Sequence, residues 1–166
     1  IFLDKRKKRP WLLKPLVLSI DKELRYMDQA SALFIAAEHG EEPLVNRLLS
    51  LRANVNQRSI NRTPLWIACR GIFSASSNKY ISNIKVVKAL LQHHNVDIFL
   101  SKTPENISPL YIASQHGHAN VVKELLLYRN KYFKREQYNY ARGDIGETPL
   151  YVACKNGHVD VVRYLI

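Results

Sequence analysis

Apolar residues recur along the chain in four copies of one pattern: a short apolar segment, a glycine and a second apolar segment. The first segments read ALFIAAEHG from Ala32, PLWIACRG from Pro64, PLYIASQHG from Pro109 and PLYVACKNG from Pro149. After each glycine, apolar residues at i, i+1, i+4 and i+5 form one wide stripe on a helix. These residues are Leu44, Val45, Leu48 and Leu49; Val86, Val87, Leu90 and Leu91; Val121, Val122, Leu125 and Leu126; and Val161, Val162, Leu165 and Ile166. The pattern predicts four pairs of short helices with a corner at each glycine.

Each first helix also carries a start signal. A hydroxyl residue at the N-cap is followed by proline at the first helical position in Thr63-Pro64, Ser108-Pro109 and Thr148-Pro149, whereas Ser31 keeps only the hydroxyl. Two residues before the last three hydroxyls stand residues that accept the positive φ of a tight turn, namely Asn61, Asn106 and Gly146. Each copy is therefore predicted to be a turn, a helix, a corner and a returning helix.

This unit resembles the ankyrin repeat, whose signature runs T-P-L-H-x-A-A-x-x-G-H-x-x-V-V-x-x-L-L over about 33 residues. The resemblance covers Ala30 to Ile166. It implies an all-α solenoid of four stacked helical pairs with projecting β-turn fingers, over residues 30–62, 63–107, 108–147 and 148–166. Residues 1–29 are predicted to form a basic N-terminal segment and a helical cap. We expect the repeated leucines, Leu110 and Leu150 among them, to be buried between stacked units.

Two positions of the signature are altered in this chain. Its histidine is replaced by Phe34, Trp66, Tyr111 and Tyr151. We expect the hydrogen bonds that this histidine makes to a neighbouring turn to be absent or rebuilt, or replaced by aromatic packing between repeats. The glycine that follows the second helix is replaced by Arg52 in the first copy, and Asn95 and Asn130 are the nearest candidates for a left-handed conformation in later copies.

The resemblance implies that function lies on an exposed strip, formed by the fingers and the outward face of the first helices, which binds another protein. Carried over to this chain, the strip consists of Glu38, His39, Ser59, Ile60, Arg62, Arg70, Glu105, Ile107, Gln115, His116, Asp144, Ile145, Glu147, Lys155 and Asn156.

The third finger is longer than the first, because Leu126 to Thr148 takes 22 steps and Leu49 to Thr63 takes 14. Its sequence, YRNKYFKREQYNYARGDIG, mixes aromatic and basic residues, which binding hot spots favour. We predict that it supplies specificity through Tyr132, Phe133, Lys134, Arg135, Tyr138, Tyr140 and Arg142. The alternative is that some of these rings only close an extended helix or pack the longer finger.

A second insertion interrupts the corner of the second copy, in GIFSASSNKYIS. Leu65 to Val86 takes 21 steps where Leu110 to Val121 takes 11. Because this corner points away from the fingers, a tolerated surface loop is favoured over a loop that contacts the partner.

The net charge of +11, from 25 Lys and Arg against 14 Asp and Glu, predicts a protein partner with an acidic surface. One alternative is binding of a polyanion, either nucleic acid or an anionic membrane, through the basic finger and KRKKRP (Lys5 to Pro10). The same basic run is also compatible with a nuclear-import signal or a solvated tail.

The sequence offers no arrangement typical of catalysis. Cys69 and Cys154 lie two copies apart, about 20 Å if helices pack at about 10 Å, so we expect no disulfide between them. His116 with His118, and His93 with His94, lack a third metal ligand at a suitable spacing. We therefore predict a non-enzyme with no cofactor, metal or small-molecule substrate.

The two cysteines and the lack of a long apolar run favour an intracellular, cytoplasmic protein, with nuclear import possible through Lys5–Pro10. The chain starts at Ile1 without a methionine and stops inside an apolar pattern, which indicates a fragment. A last alternative is therefore the substrate-recruiting part of a larger effector enzyme, such as a bacterial effector in a host cytosol.

Overall fold

A computed structural model describes residues 31–59, 61–99, 107–132 and 147–166. In these ranges, eight helices form four consecutive pairs: α1 (Ala32–His39) and α2 (Glu42–Ser50), α3 (Pro64–Arg70) and α4 (Ile84–Leu91), α5 (Pro109–Gln115) and α6 (Ala119–Tyr132), and α7 (Pro149–Lys155) and α8 (Val159–Leu165). The four predicted pairs are confirmed. The predicted N-terminal segment and cap, residues 1–29, lie outside the described residues.

The first helices begin where the hydroxyl residues predicted. The side chains of Ser31, Thr63, Ser108 and Thr148 each accept a hydrogen bond, 3.1 to 3.2 Å long, from the backbone N–H three residues later. Each bond satisfies one of the backbone donors that a helix leaves unpaired at its start. The local signal and the observed start therefore agree in all four copies.

The helices stack in two rows. The first helices α1, α3, α5 and α7 pack side by side, and the second helices α2, α4, α6 and α8 form a parallel row behind them. Between the rows lie apolar side chains with at most 1% of their surface exposed, such as Leu33, Leu65, Val86 and Val121. Neither row alone could bury these residues, so stacking creates the core.

The burial of the repeated leucine decreases toward the end of this row. Leu33 and Leu65 are buried, Leu110 is half-buried, and Leu150 is 37% exposed. The expectation of a buried Leu150 is wrong, because no described first helix follows α7 to cover it.

Left-handed backbone conformations occur at Asn61, where one was predicted, and at Arg52, which replaces the signature glycine. Arg52 has a φ of 65° and Asn61 a φ of 62°, so arginine adopts the conformation for which glycine is usual. The suggestion for Asn130 is wrong, because it lies inside α6, and Asn95 is not among the described residues with positive φ.

The corner insertion differs from the predicted loop. It forms an antiparallel hairpin of β1 (Ile72–Ser74) and β2 (Lys79–Ile81), with Ile72 opposite Ile81, Phe73 opposite Tyr80 and Ser74 opposite Lys79. Asn78 in the connecting turn has a φ of 50°, which asparagine tolerates better than most residues. The fold is an all-α solenoid that carries one small two-stranded sheet among its described residues.

Candidate functional site

Twelve of the predicted binding residues fall in the described ranges: Glu38, His39, Ser59, Arg62, Arg70, Ile107, Gln115, His116, Tyr132, Glu147, Lys155 and Asn156. The others lie outside them: Ile60, Glu105, Phe133, Lys134, Arg135, Tyr138, Tyr140, Arg142, Asp144 and Ile145. We call the twelve described residues without Tyr132 the first-helix strip, because they lie on or beside the row of first helices.

Cross-links join neighbouring helices along the first-helix strip. The side chain of Arg70 at the end of α3 donates to Glu38 of α1, with 3.0 Å between Nη2 and Oε1. Farther along, Asn156 Nδ2 donates to the backbone oxygen of Gln115 over 3.0 Å. Such partly exposed pairs contribute at most about 1 kcal/mol to stability. Their main consequence is that side chains from successive repeats are held in a fixed order.

Two of the aromatic residues that replace the signature histidine rebuild its hydrogen bonds. Trp66 Nε1 donates to the backbone oxygen of Ile107 over 2.8 Å, and the hydroxyl of Tyr111 donates to Glu147 Oε2 over 2.8 Å. Each acceptor belongs to the residue directly before the N-cap of the next repeat. Of the expected outcomes for the hydrogen bonds of the signature histidine, the structure shows that Trp66 and Tyr111 rebuild them.

Glu147 is the most constrained carboxylate of the strip. The Tyr111 hydroxyl and then the Lys155 ammonium, 3.1 Å away, stabilise its charged form and lower its pKa. The same contact raises the pKa of Lys155. Burial, followed by the hydrogen bond to Glu147, raises the pKa of Tyr111 to about 12. Glu147 therefore remains a carboxylate at neutral pH.

Replacing Tyr111 by phenylalanine is expected to raise the pKa of Glu147 toward its ordinary value. The phenol donates a stronger hydrogen bond to the ionised carboxylate than to the protonated acid, so its removal takes away part of the preference for the charged form. Titration of the Glu147 side-chain carbon by NMR measures the shift. Tyr151→Phe is the matched control, since the exposed Tyr151 ring lies near Lys155. An unchanged Glu147 titration in Tyr111→Phe would contradict the assigned contact.

Two histidines join the corners of neighbouring repeats through hydrogen bonds to the backbone. His118 Nε2 lies 2.9 Å from the backbone oxygen of Arg70, and His158 Nε2 lies 3.0 Å from that of Gln115. In the second repeat, Asn83 stands at the equivalent position before the second helix. Its side-chain nitrogen is buried and makes no hydrogen bond within the described structure. The corner between the first and second repeats therefore lacks this cross-link.

His116 faces the corner hairpin. Its ring centroid lies 4.7 Å from that of Tyr80, and the guanidinium of Arg70 lies 4.9 Å from the same Tyr80 ring. Burial, followed by the charges of His118 and Arg70, lowers the pKa of His116 to about 4. His116 is consequently neutral near pH 7, and it is partly buried.

The predicted residues differ in accessibility. His39, Lys155 and Asn156 are exposed, and the Arg62 guanidinium lies 4.5 Å from the centroid of Trp66. Ser59 is only 1% exposed, so its predicted place on the exposed strip is wrong. The backbone N–H of Ser59 donates to the Arg62 oxygen over 2.8 Å, and the Ser59 oxygen accepts from the Arg62 N–H over 2.9 Å, while the Ser59 side chain lies inside.

The long third finger begins as a helix. α6 is 14 residues long and continues through the first aromatic residues of this stretch. Tyr132 is 56% exposed, its ring lies 4.5 Å from Tyr128, and the Lys131 ammonium lies 4.9 Å from its centroid. The finger therefore starts as an extension of α6 up to the exposed Tyr132, and the remaining predicted contacts lie outside the described residues.

Within the described ranges, no group of His, Cys, Asp and Glu side chains is placed to hold a metal ion. No helix in those ranges has the length and apolar character needed to cross a membrane. Cys69 is buried and Cys154 is exposed, and both are free thiols.

Comparison with known proteins gives two findings. The family model described as ankyrin repeats (three copies) matches residues 5–99 and 72–166. The tyrosine-protein kinase Shark of Drosophila melanogaster is 29% identical over 106 residues, which cover 63% of this chain and 10% of that kinase. The matched region therefore spans about a tenth of the length of this relative.

Proposed function

Because the chain belongs to the ankyrin repeat family, whose repeats generally mediate protein–protein interaction, we propose that it is a non-catalytic module that binds a protein partner through the first-helix strip. The observation that carries this proposal is the row of polar side chains at the ends of the first helices. Arg70 is tied to Glu38, and Asn156 to the backbone of Gln115. A surface held in this way loses little conformational freedom when a partner binds.

The ion pairs within the strip favour recognition of the partner by shape and hydrogen bonding over long-range attraction by the strip's own charges. Two of its cations, Arg70 and Lys155, already pair with carboxylates of the same strip. Arg62 lies over the Trp66 ring and has no carboxylate within ion-pair distance among the described residues. Arg62 is therefore the strip cation that can form an ion pair with an acidic group of the partner without breaking an existing one. The net charge of +11 favours such a partner and predicts that binding weakens as salt rises.

We propose, as the sequence predicts, that the long third finger supplies specificity for the partner. Support comes from its helical start, where Tyr132 and Lys131 are exposed beside one another. Exposed aromatic and basic side chains are common at the centres of protein interfaces. In this proposal the finger and the strip contact one partner together.

The test uses two double variants that remove equal charge. Arg62→Ala with Lys155→Ala alters the strip, and Arg47→Ala with Lys85→Ala alters exposed positions on the second helices α2 and α4. The partner is first captured with the unmodified chain from an extract of its native cells and then purified for isothermal titration. We expect the strip variant to bind about tenfold more weakly and the control to change little.

Equal losses in the two double variants would contradict the proposal. Such a result would mean that total charge governs binding, as in attraction to a polyanion. Circular dichroism melting of both variants shows whether either loss comes from unfolding. A steep decrease in affinity with salt for any polyanion, without one preferred protein, would likewise favour the alternative.

A further inference from the structure

The insertion in the second repeat is anchored to three successive helix corners. Around its base, Gly71 has a φ of 89°, and an added Cβ there would lie against the Ile81 carbonyl and 2.8 Å from His118 Nε2. The Ile72 side chain lies against Gly40 of the first repeat. On the other side, Ser82 Oγ donates to Asn120 Oδ1 of the third repeat over 2.8 Å. The hairpin therefore has a defined position on the solenoid.

One ring joins this hairpin to the first-helix strip. Tyr80 packs against Phe73 with 5.4 Å between their centroids, and its own ring also meets Arg70 and His116. Arg70 and His116 both belong to the strip. β1 also follows α3 directly, because only Gly71 separates them. A partner that lies on the strip would consequently reach the hairpin at the ends of α3 and α5.

The hairpin exposes apolar side chains that the solenoid does not cover. Phe73 is 53% exposed, Ile81 55% and Ile72 37%. Among the described residues, the backbone of β1 makes strand hydrogen bonds with β2 and none with another strand. Strand edges of this kind leave N–H and C=O groups able to pair with an extended chain. Apolar side chains next to a free edge are typical of a surface that accepts a third strand.

The charges next to this edge indicate the chemistry of the occupant. Lys79 is the single charged residue of the two strands, it is exposed, and it stands opposite the small Ser74. Neighbouring strands lie about 4.8 Å apart, so a carboxylate on a strand added beside Ser74 is within reach of the lysine side chain. A second copy of this chain fits less well, because pairing of three-residue strands buries far less than the roughly 800 Å² per partner of a stable interface.

We propose that the corner hairpin, residues 72–81, binds an extended apolar and acidic segment of the protein partner as a third strand beside β1. This inference rests on the proposed function, because the same partner would cover the first-helix strip. Phe73 supplies apolar contact area, Lys79 attracts a carboxylate, and the free backbone of β1 supplies hydrogen bonds. The insertion thereby extends the interaction surface beyond the regular repeats.

The experiment uses short fluorescein-labelled peptides in which glutamate alternates with valine, and otherwise identical peptides with lysine in place of glutamate. Anisotropy gives the affinity, and ¹⁵N chemical shifts locate the site. We expect saturable binding of the glutamate peptide with shifts at the amides of residues 72–74. Two N-methylated peptides are compared, one for each alternate set of peptide amides. Methylation of the set that faces β1 should abolish binding, and methylation of the other set should not, since only one set of amides faces the strand.

Variants of the chain test the named side chains. Phe73→Ser is expected to weaken the glutamate peptide about tenfold, and Phe73→Leu, which keeps most of the apolar area, to weaken it much less. Lys79→Glu should reverse the preference between the glutamate and lysine peptides. Unchanged melting curves show that the fold persists in each variant.

The proposal is overturned if no peptide binds saturably, if both N-methylated peptides bind equally, or if the shifts fall on the first helices and spare the hairpin. The last result would leave the proposed function intact and remove only the third strand. A dimer in sedimentation that is lost in Phe73→Ser would also overturn it, because a second copy would then occupy the edge.

Discussion

Leu65→Ala is expected to lower the free energy of unfolding by about 2 to 5 kcal/mol. Leu65 lies in α3 with 0% of its surface exposed, between the first and third helical pairs of the stack. Truncation removes apolar contacts and leaves a cavity that rigidly packed neighbours fill poorly. Urea denaturation followed by circular dichroism measures the change.

Leu150→Ala is the matched control for this prediction. The two leucines occupy the same position of the repeat, but Leu150 is 37% exposed. Its truncation is therefore expected to cost only about 1 kcal/mol, since part of the side chain already contacts water. Equal losses for Leu65→Ala and Leu150→Ala would contradict the described stacking, because burial would then not distinguish the two positions.

Gly71→Ala is expected to lower the free energy of unfolding by more than about 2 kcal/mol. Gly71 has φ 89° and ψ −179°, a region that only glycine enters readily. An added methyl group would also lie against the backbone oxygen of Ile81 and 2.8 Å from His118 Nε2. The backbone atom cannot rotate away, so the hairpin base or the corner must shift. Denaturation together with the ¹⁵N shifts of residues 72–81 measures both effects.

Gly157→Ala separates backbone strain from steric conflict. Gly157 has a φ of 72°, but an added Cβ there has nothing within 4 Å. Its replacement is expected to cost about 1 kcal/mol, the usual penalty of a left-handed conformation with a Cβ. A Gly71→Ala variant no less stable than Gly157→Ala would show that the hairpin base does not press on the corner.

The repeat architecture could be predicted from sequence because its signals are local. The hydroxyl N-caps act within three residues of the helix that they start, and the apolar stripe marks the buried face of each second helix. Asn61 also adopts the positive φ that its place two residues before the Thr63 N-cap predicted. These features depend on the order of residues within one repeat.

The candidate surface was predicted less completely. Sequence showed that the signature histidine is missing but not that Trp66 and Tyr111 donate to the residue before the next N-cap. It placed Ser59 on the exposed strip, whereas the turn closed by Arg62 buries it. In both cases the decisive partner lies in another repeat or across a turn, and residue type alone does not identify it.

The sequence by itself determined that this chain is a row of four helical pairs, because each pair is specified by caps, corners and apolar spacing inside its own repeat. Only the tertiary structure decided that the insertion of the second repeat is a hairpin. Its strands have three residues each, too few for a clear alternating pattern. The hairpin is held by Ile72 against Gly40 and by Tyr80 against Arg70 and His116, contacts that arise only when three repeats stack.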